Sequence, residues 1–238
     1  MRLASVPTFA SSGGRLPRRI RSPFRTATST SGDRRPWPMV VGTAVGAGAL
    51  LGPLDLAGQV HSPYPWADLF NSPAVWAAAA FAFGAWSRSQ HLASIVMVLV
   101  AVETYYFADV VVRGADRSNL TSPTAGFWLA LGVGAGLVFG TAGSWMRSSV
   151  VGKRRVAAAL LPAVYASEAV LRIVRHVTVP PGAGSDDELS DAAILAAIAL
   201  VSLAIALRRR DRHERWRVVA VATAFTAAGS LAYVMMST

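Results

Sequence analysis

Four carboxylates fall inside the apolar stretches of this chain: Asp55, Glu103, Asp109 and Glu168. A charge in hydrocarbon costs at least ~2.5–3.5 kcal/mol on insertion scales, so such groups usually face a bundle interior or a water-filled cavity, where they hold cations or carry protons. Glu103 lies 12 residues beyond His91 and Glu168 lies 13 beyond Arg155. At ~1.5 Å per residue both sit ~18–20 Å from the same end of a ~30 Å core, at one shared depth. Tyr106 stands three residues from both Glu103 and Asp109, and Tyr165 three from Glu168, which gives each acid a hydroxyl neighbour on its own helix. Arg113 follows Asp109, and Arg172 follows Glu168, at i,i+4 with the acid first, the favourable order for a local ion pair. Glu103 has no basic residue at i±3 or i±4, so it is left to be protonated, paired across helices or hydrated. Asp55, Glu103, Tyr106, Asp109, Tyr165, Glu168 and Arg172 form the candidate intramembrane polar cluster.

Other chemistries lack their parts. With no cysteine there is no disulfide framework, thiolate nucleophile or cysteine-based metal site. His61, His91, His176 and His213 show no metal-ligand spacing, so no metal and no cofactor is expected. No G-x-S-x-G is present, and the single lysine, Lys153, lies in a basic loop, away from any serine at membrane depth. A retinal protein is excluded because the last apolar stretch has no lysine. No catalytic residue is assigned.

The elements that must position the acids follow from composition. Over 238 residues, 53% hydrophobic content against 15% charged is too apolar for a soluble globule. Apolar stretches near spanning length predict seven helices, at about Met39–Leu56, Pro73–Trp86, Leu92–Val112, Gly126–Met146, Val156–Val174, Leu189–Leu207 and Val218–Met236. The second is short. The expected fold is all-α, a polytopic bundle of seven transmembrane helices over residues 38–238, in the plasma (cytoplasmic) membrane. If the seven alternate, 19 of the 23 Lys and Arg residues fall on one side, which places the N-terminus in the cytoplasm and the C-terminus outside. The net charge of +10 is therefore a topology signal, and no nucleic-acid partner is expected.

Residues 1–37, rich in Arg, Ser and Pro, lack a periodic apolar face and are expected to form a disordered cytoplasmic tail. Arg34-Arg35 precedes an apolar stretch, but no clean cleavage site lies near Ala57, so an uncleaved first helix is expected. Gly132, Gly136 and Gly140 recur every four residues, and Gly42/Gly46 and Gly48/Gly52 share that spacing. Such faces let backbones approach closely. They predict contact between the first and fourth of the seven helices, or assembly with a second copy or a membrane partner. Ser72-Pro73 leads through Trp76 to Gly84-Ala85-Trp86-Ser87-Arg88-Ser89, and Ser122-Pro123 leads through Trp128 to Gly143-Ser144-Trp145-Met146-Arg147-Ser148. This pattern points to a parallel repeat with unequal spacing.

The Ser72–Trp76 motif, the Tyr105-Tyr106 pair after Glu103, the Gly136–Gly143 segment and Glu168 carry a resemblance, over roughly residues 40–175, to a family of uncharacterised, actinobacterial-type multispanning membrane proteins classed as a domain of unknown function. It implies a membrane location and brings no substrate or catalytic residue. Two functions remain in view. One is a small-solute or proton-coupled permease with an outward-facing acidic cavity. The other is a non-catalytic membrane component that senses or assembles with a partner. An enzyme acting on lipid ranks lowest, since no nucleophile or metal set accompanies the arginines.

Overall fold

The structure is a computed structural model that describes residues 35–87, 91–178 and 188–237, all within one unit, Arg34–Thr238. The tail expected to be disordered lies almost wholly outside the described residues. Among these residues the chain is all-α, with eight α-helices and a 3-10 turn at Arg117–Thr121. They are α1 Trp37–His61, α2 Trp66–Phe70, α3 Pro73–Ser87, α4 His91–Arg113, α5 Pro123–Trp145, α6 Val151–Thr178, α7 Glu188–Leu207 and α8 Arg212–Ser237. Each of the seven apolar stretches forms a helix. Five helices are long and apolar enough to cross a membrane: α1, α4, α5, α6 and α7.

Local sequence sets the helix ends. Pro38, Pro73 and Pro123 stand in first turns, where a missing N–H costs nothing. The Ser122 hydroxyl caps α5 by accepting from the Ala125 N–H at 3.1 Å. Asp116 does the same for the 3-10 turn, accepting from the Ser118 N–H at 2.7 Å, and that bond holds its carboxyl below the usual range.

Packing is inverted relative to a soluble domain. The buried apolar positions are mostly alanine, while Leu50, Leu54, Val111, Val112, Leu200 and Ile205 face outward. Small residues inside and large apolar residues outside suit a lipid solvent, where close helix approach supplies the attraction. Two helices act as hubs. α4 carries α1 and α5, while α6, the most buried of the long apolar helices, carries α7 and α8.

The glycine faces serve these hubs. Gly48 and Gly52 of α1 lie on the α4 backbone at Met97 and Ala101, and Gly136 of α5 meets α4 at Ile95, where an added Cβ would come within 2.6 Å of the Ile95 Cα. The expected contact between the Gly48/Gly52 and Gly132/Gly136/Gly140 faces is therefore corrected: both pack on α4, which stands between them. Gly140 of that face also meets Gly84 of α3. Gly42 and Gly46 point into open space.

The repeat-like helices α3 and α5 differ in length by two turns, 15 residues against 23. At ~1.5 Å per residue α3 is only ~22 Å long. The chain makes up the difference by folding residues 62–72, including α2, down to its start.

Candidate functional site

Because α3 is short, its first turn opens inside the bundle. Helix N–H groups there have no water and must find an acceptor. Glu168 provides it. Its Oε2 accepts from the Ser72 hydroxyl at 2.7 Å and from the Ala74 N–H at 2.9 Å, and Glu168 is 1% exposed. The positive end of α3 and the carboxylate thus neutralise each other.

One turn along α6, Arg172 gathers the remaining charges. Its Nη2 lies 3.6 Å from Glu168 Oε1, so the pair expected from the i,i+4 spacing is formed. Its Nη1 donates to Glu188 Oε2 at 3.2 Å and to Asp191 Oδ2 at 3.0 Å, both on the first turn of α7, and lies 3.8 Å from Asp68 Oδ2 of α2. Tyr64 donates to the other Asp191 oxygen at 3.3 Å. One guanidinium therefore faces four carboxylates from three helices, and through Glu168 it is coupled to a fourth helix. Among the described residues, no group of three or more His, Asp or Glu side chains could hold a metal ion.

A second polar chain runs between α1 and α4. Asp55, buried at 3% exposure, accepts from Gln59 Nε2 at 3.0 Å, and Gln59 Oε1 accepts from the Tyr105 hydroxyl at 3.1 Å. The Trp76 ring meets Tyr105 edge-on at 6.5 Å. Beside this chain opens a cavity of about 360 Å³ lined by Gln59, Val60, Ala67, Asp68, Asn71 and Arg113. Asp68 belongs to both the cavity wall and the Arg172 cluster. Arg113, on the same wall, pairs with Asp109 at 3.4 Å.

The seven residues expected to form one cluster divide. Glu168 and Arg172 sit together, Asp109 pairs with Arg113 at the cavity, and Asp55 leads to the cavity through Gln59. Glu103 stands apart, exposed on the outer face of α4. The expected hydroxyl partners also differ. Tyr106 packs edge-on against Tyr105 at 5.5 Å, and Tyr165 is buried among Ala74, Ala169 and Leu195, while Glu168 takes its hydrogen bonds from Ser72 and Ala74.

Sequence reasoning missed Gln59, Asp68, Ser72, Glu188 and Asp191. Gln59 was findable, since it follows Asp55 by one turn. Glu188 and Asp191 carry the ordinary signal of acids in a first helical turn, and nothing local marks Asp68 as a partner of Arg172, 104 residues away.

A helical bundle with polar networks among its helix ends defines the class: an all-α protein in which five helices have the length and composition to cross a membrane. The chain belongs to a family of unknown function, DUF6518, which it matches over residues 31–238, well beyond the 40–175 that the sequence motifs cover. No curated protein and no solved structure shows significant similarity to it.

Proposed function

We propose that the chain is a multi-pass plasma-membrane protein with seven membrane-embedded helices, N-terminus in the cytoplasm and C-terminus outside. It acts as a small-solute or proton-coupled permease through an outward-facing cavity that Asp68 and Arg113 line and Asp55 flanks. Two features support the topology. The charge bias puts 19 of 23 basic residues on one side. Contacts at that end, Arg35 over the Trp86 ring at 4.3 Å and Arg155 to Glu214 at 2.9 Å, bring basic helix ends together, while Asp55, Asp68, Glu168, Glu188 and Asp191 lie toward the opposite end.

The observation that carries the permease reading is the 360 Å³ cavity with Asp68 and Arg113 on its wall and the Asp55–Gln59–Tyr105 chain beside it. A cavity of this size suits a small ligand. Opposite charges on one wall suit a zwitterionic or otherwise dipolar solute, and a buried carboxyl reached through Gln59 supplies a proton-linked group. Proteoliposomes loaded with a proton-sensitive dye test this with a panel of small amino acids and amines. Solute-dependent proton movement that is lost in Asp55→Asn and Asp68→Asn is the expected result. Absence of uptake and of proton movement for the whole panel overturns it.

A second reading, a non-catalytic component that assembles with a membrane partner, is favoured by Glu103. This carboxyl is exposed at mid-helix on α4 and has no cation at i±3 or i±4 on that helix. A partner helix carrying a base would meet it there, and co-purification lost on Glu103→Ala distinguishes this reading.

A further inference from the structure

α7 and α8 each pack along α6 and touch each other little. Between the three helices lies an apolar groove of about 210 Å³, lined by Pro162 of α6, Ala199 and Leu203 of α7, and Val219, Thr223 and Thr226 of α8. The α8 side of this groove continues in register toward the basic end of the bundle. Arg212, Arg215 and Trp216 precede Val219 by seven, four and three residues and so share its helical stripe. All three are exposed, Trp216 at 66%. The Arg212 side chain makes no hydrogen bond or ion pair among the described residues. Arg215 gives only its Nε, to the Arg210 carbonyl at 2.8 Å, and a guanidinium has four further N–H donors. Arg208 and Arg209 are exposed in the same connection.

An apolar slot topped by open guanidinium groups and an exposed tryptophan has the chemistry of a lipid seat. From Arg212 to Val219 the helix rises ~10 Å, and from Val219 to Thr226 another ~10 Å. Those lengths match a headgroup zone followed by most of one ~15 Å leaflet. Basic pockets between membrane helices bind anionic headgroups, and tryptophan favours the headgroup level. A second copy fits less well. Sharing one orientation in the membrane, it would bring its own arginine-rich end beside Arg212 and Arg215, like charge against like. We propose that this groove holds one anionic phospholipid of the adjoining leaflet, its phosphate on Arg212 and Arg215 and one acyl chain between α7 and α8.

Native mass spectrometry of the full chain tests the proposal with palmitoyl-oleoyl phosphatidylglycerol and with phosphatidylcholine of the same chains. One phosphatidylglycerol should be retained about tenfold more strongly than phosphatidylcholine. The R212Q/R215Q variant should bring the two lipids level, with unchanged thermal unfolding in lipid-free detergent. Thr223→Phe, which fills the groove from an exposed position, should weaken retention of both. Equal retention of the two lipids by the wild-type chain overturns the proposal, as does undiminished phosphatidylglycerol retention in either variant. A two-chain species that neither lipid disperses would assign the groove to a second copy instead.

Discussion

The Ser72 hydroxyl donates to the Glu168 carboxylate across 2.7 Å, joining residues 96 positions apart and placing an acid at the open end of α3. This bond accounts for an acid at that depth without any transport role, because a helix that begins inside a bundle needs an acceptor for its first N–H groups. Removing that acceptor leaves Ala74 N–H and Arg172 short of a partner. Glu168→Ala should therefore destabilise the protein by ~3–5 kcal/mol, as expected for breaking a buried pair. Glu168→Gln, which keeps one acceptor oxygen, should cost less. Thermal unfolding in detergent gives the order, and equal stability of all three proteins would show that Glu168 does not hold α3.

Gly136→Leu should destabilise by ~1–3 kcal/mol or more, since its side chain would enter the α4 backbone at Ile95. Gly134→Leu provides the control: Gly134 has nothing within 4 Å of an added Cβ and should tolerate the change. A reversed order in melting temperature would contradict the α4–α5 packing.

Glu103 is the opposite case. Exposed on α4 and holding no hydrogen bond or ion pair among the described residues, it should accept Glu103→Gln with little change in stability, since the substitution removes no contact. Melting temperatures of the two proteins in detergent should coincide. A clear loss in the mutant would reveal a cation that meets Glu103 in the assembled protein.

At the basic end, the Arg155 guanidinium lies 2.9 Å from Glu214 at the start of α8, ahead of that helix's apolar stretch, and holds the Glu214 carboxyl below its ordinary value. A carboxyl whose folded pKa is depressed contributes stability that is present above its unfolded pKa, ~4.3, and is lost as pH falls through the folded value. Glu214→Gln should remove this part of the acid transition, and added salt should blunt it in the wild type. Coincident acid melts for wild type and mutant at low salt would refute the linkage.

Topology is open to reporter fusions. Residues 1–38, 147–155 and 208–217 should report from the cytoplasm, and 57–72, 113–125 and 175–188 from outside. A cytoplasmic C-terminus would remove one helix from the count, with the 15-residue α3 the first to reconsider.

Much of this architecture is written locally. Hydropathy places all seven apolar helices, because the length of an apolar run depends only on the residues within it. The Asp109/Arg113 and Glu168/Arg172 pairs are readable because one helical turn relates them whatever surrounds the helix. The glycine spacing likewise announces close packing, since only the missing side chain matters. Which helix receives each glycine face is not local: α4 lies between α1 and α5, so the two faces never meet. Nor does spacing along α4 tell which way Glu103 points, because the side that faces inward is set by where α1 and α5 dock. The cluster around Arg172 required the chain to lay residues 62–72 against the end of the bundle, with Asp68 toward Arg172, and to bring the first turn of α7 against α6. Such partners lie up to about a hundred residues apart and carry no shared pattern, so only the tertiary packing, by closing four helix ends around one guanidinium, made them neighbours.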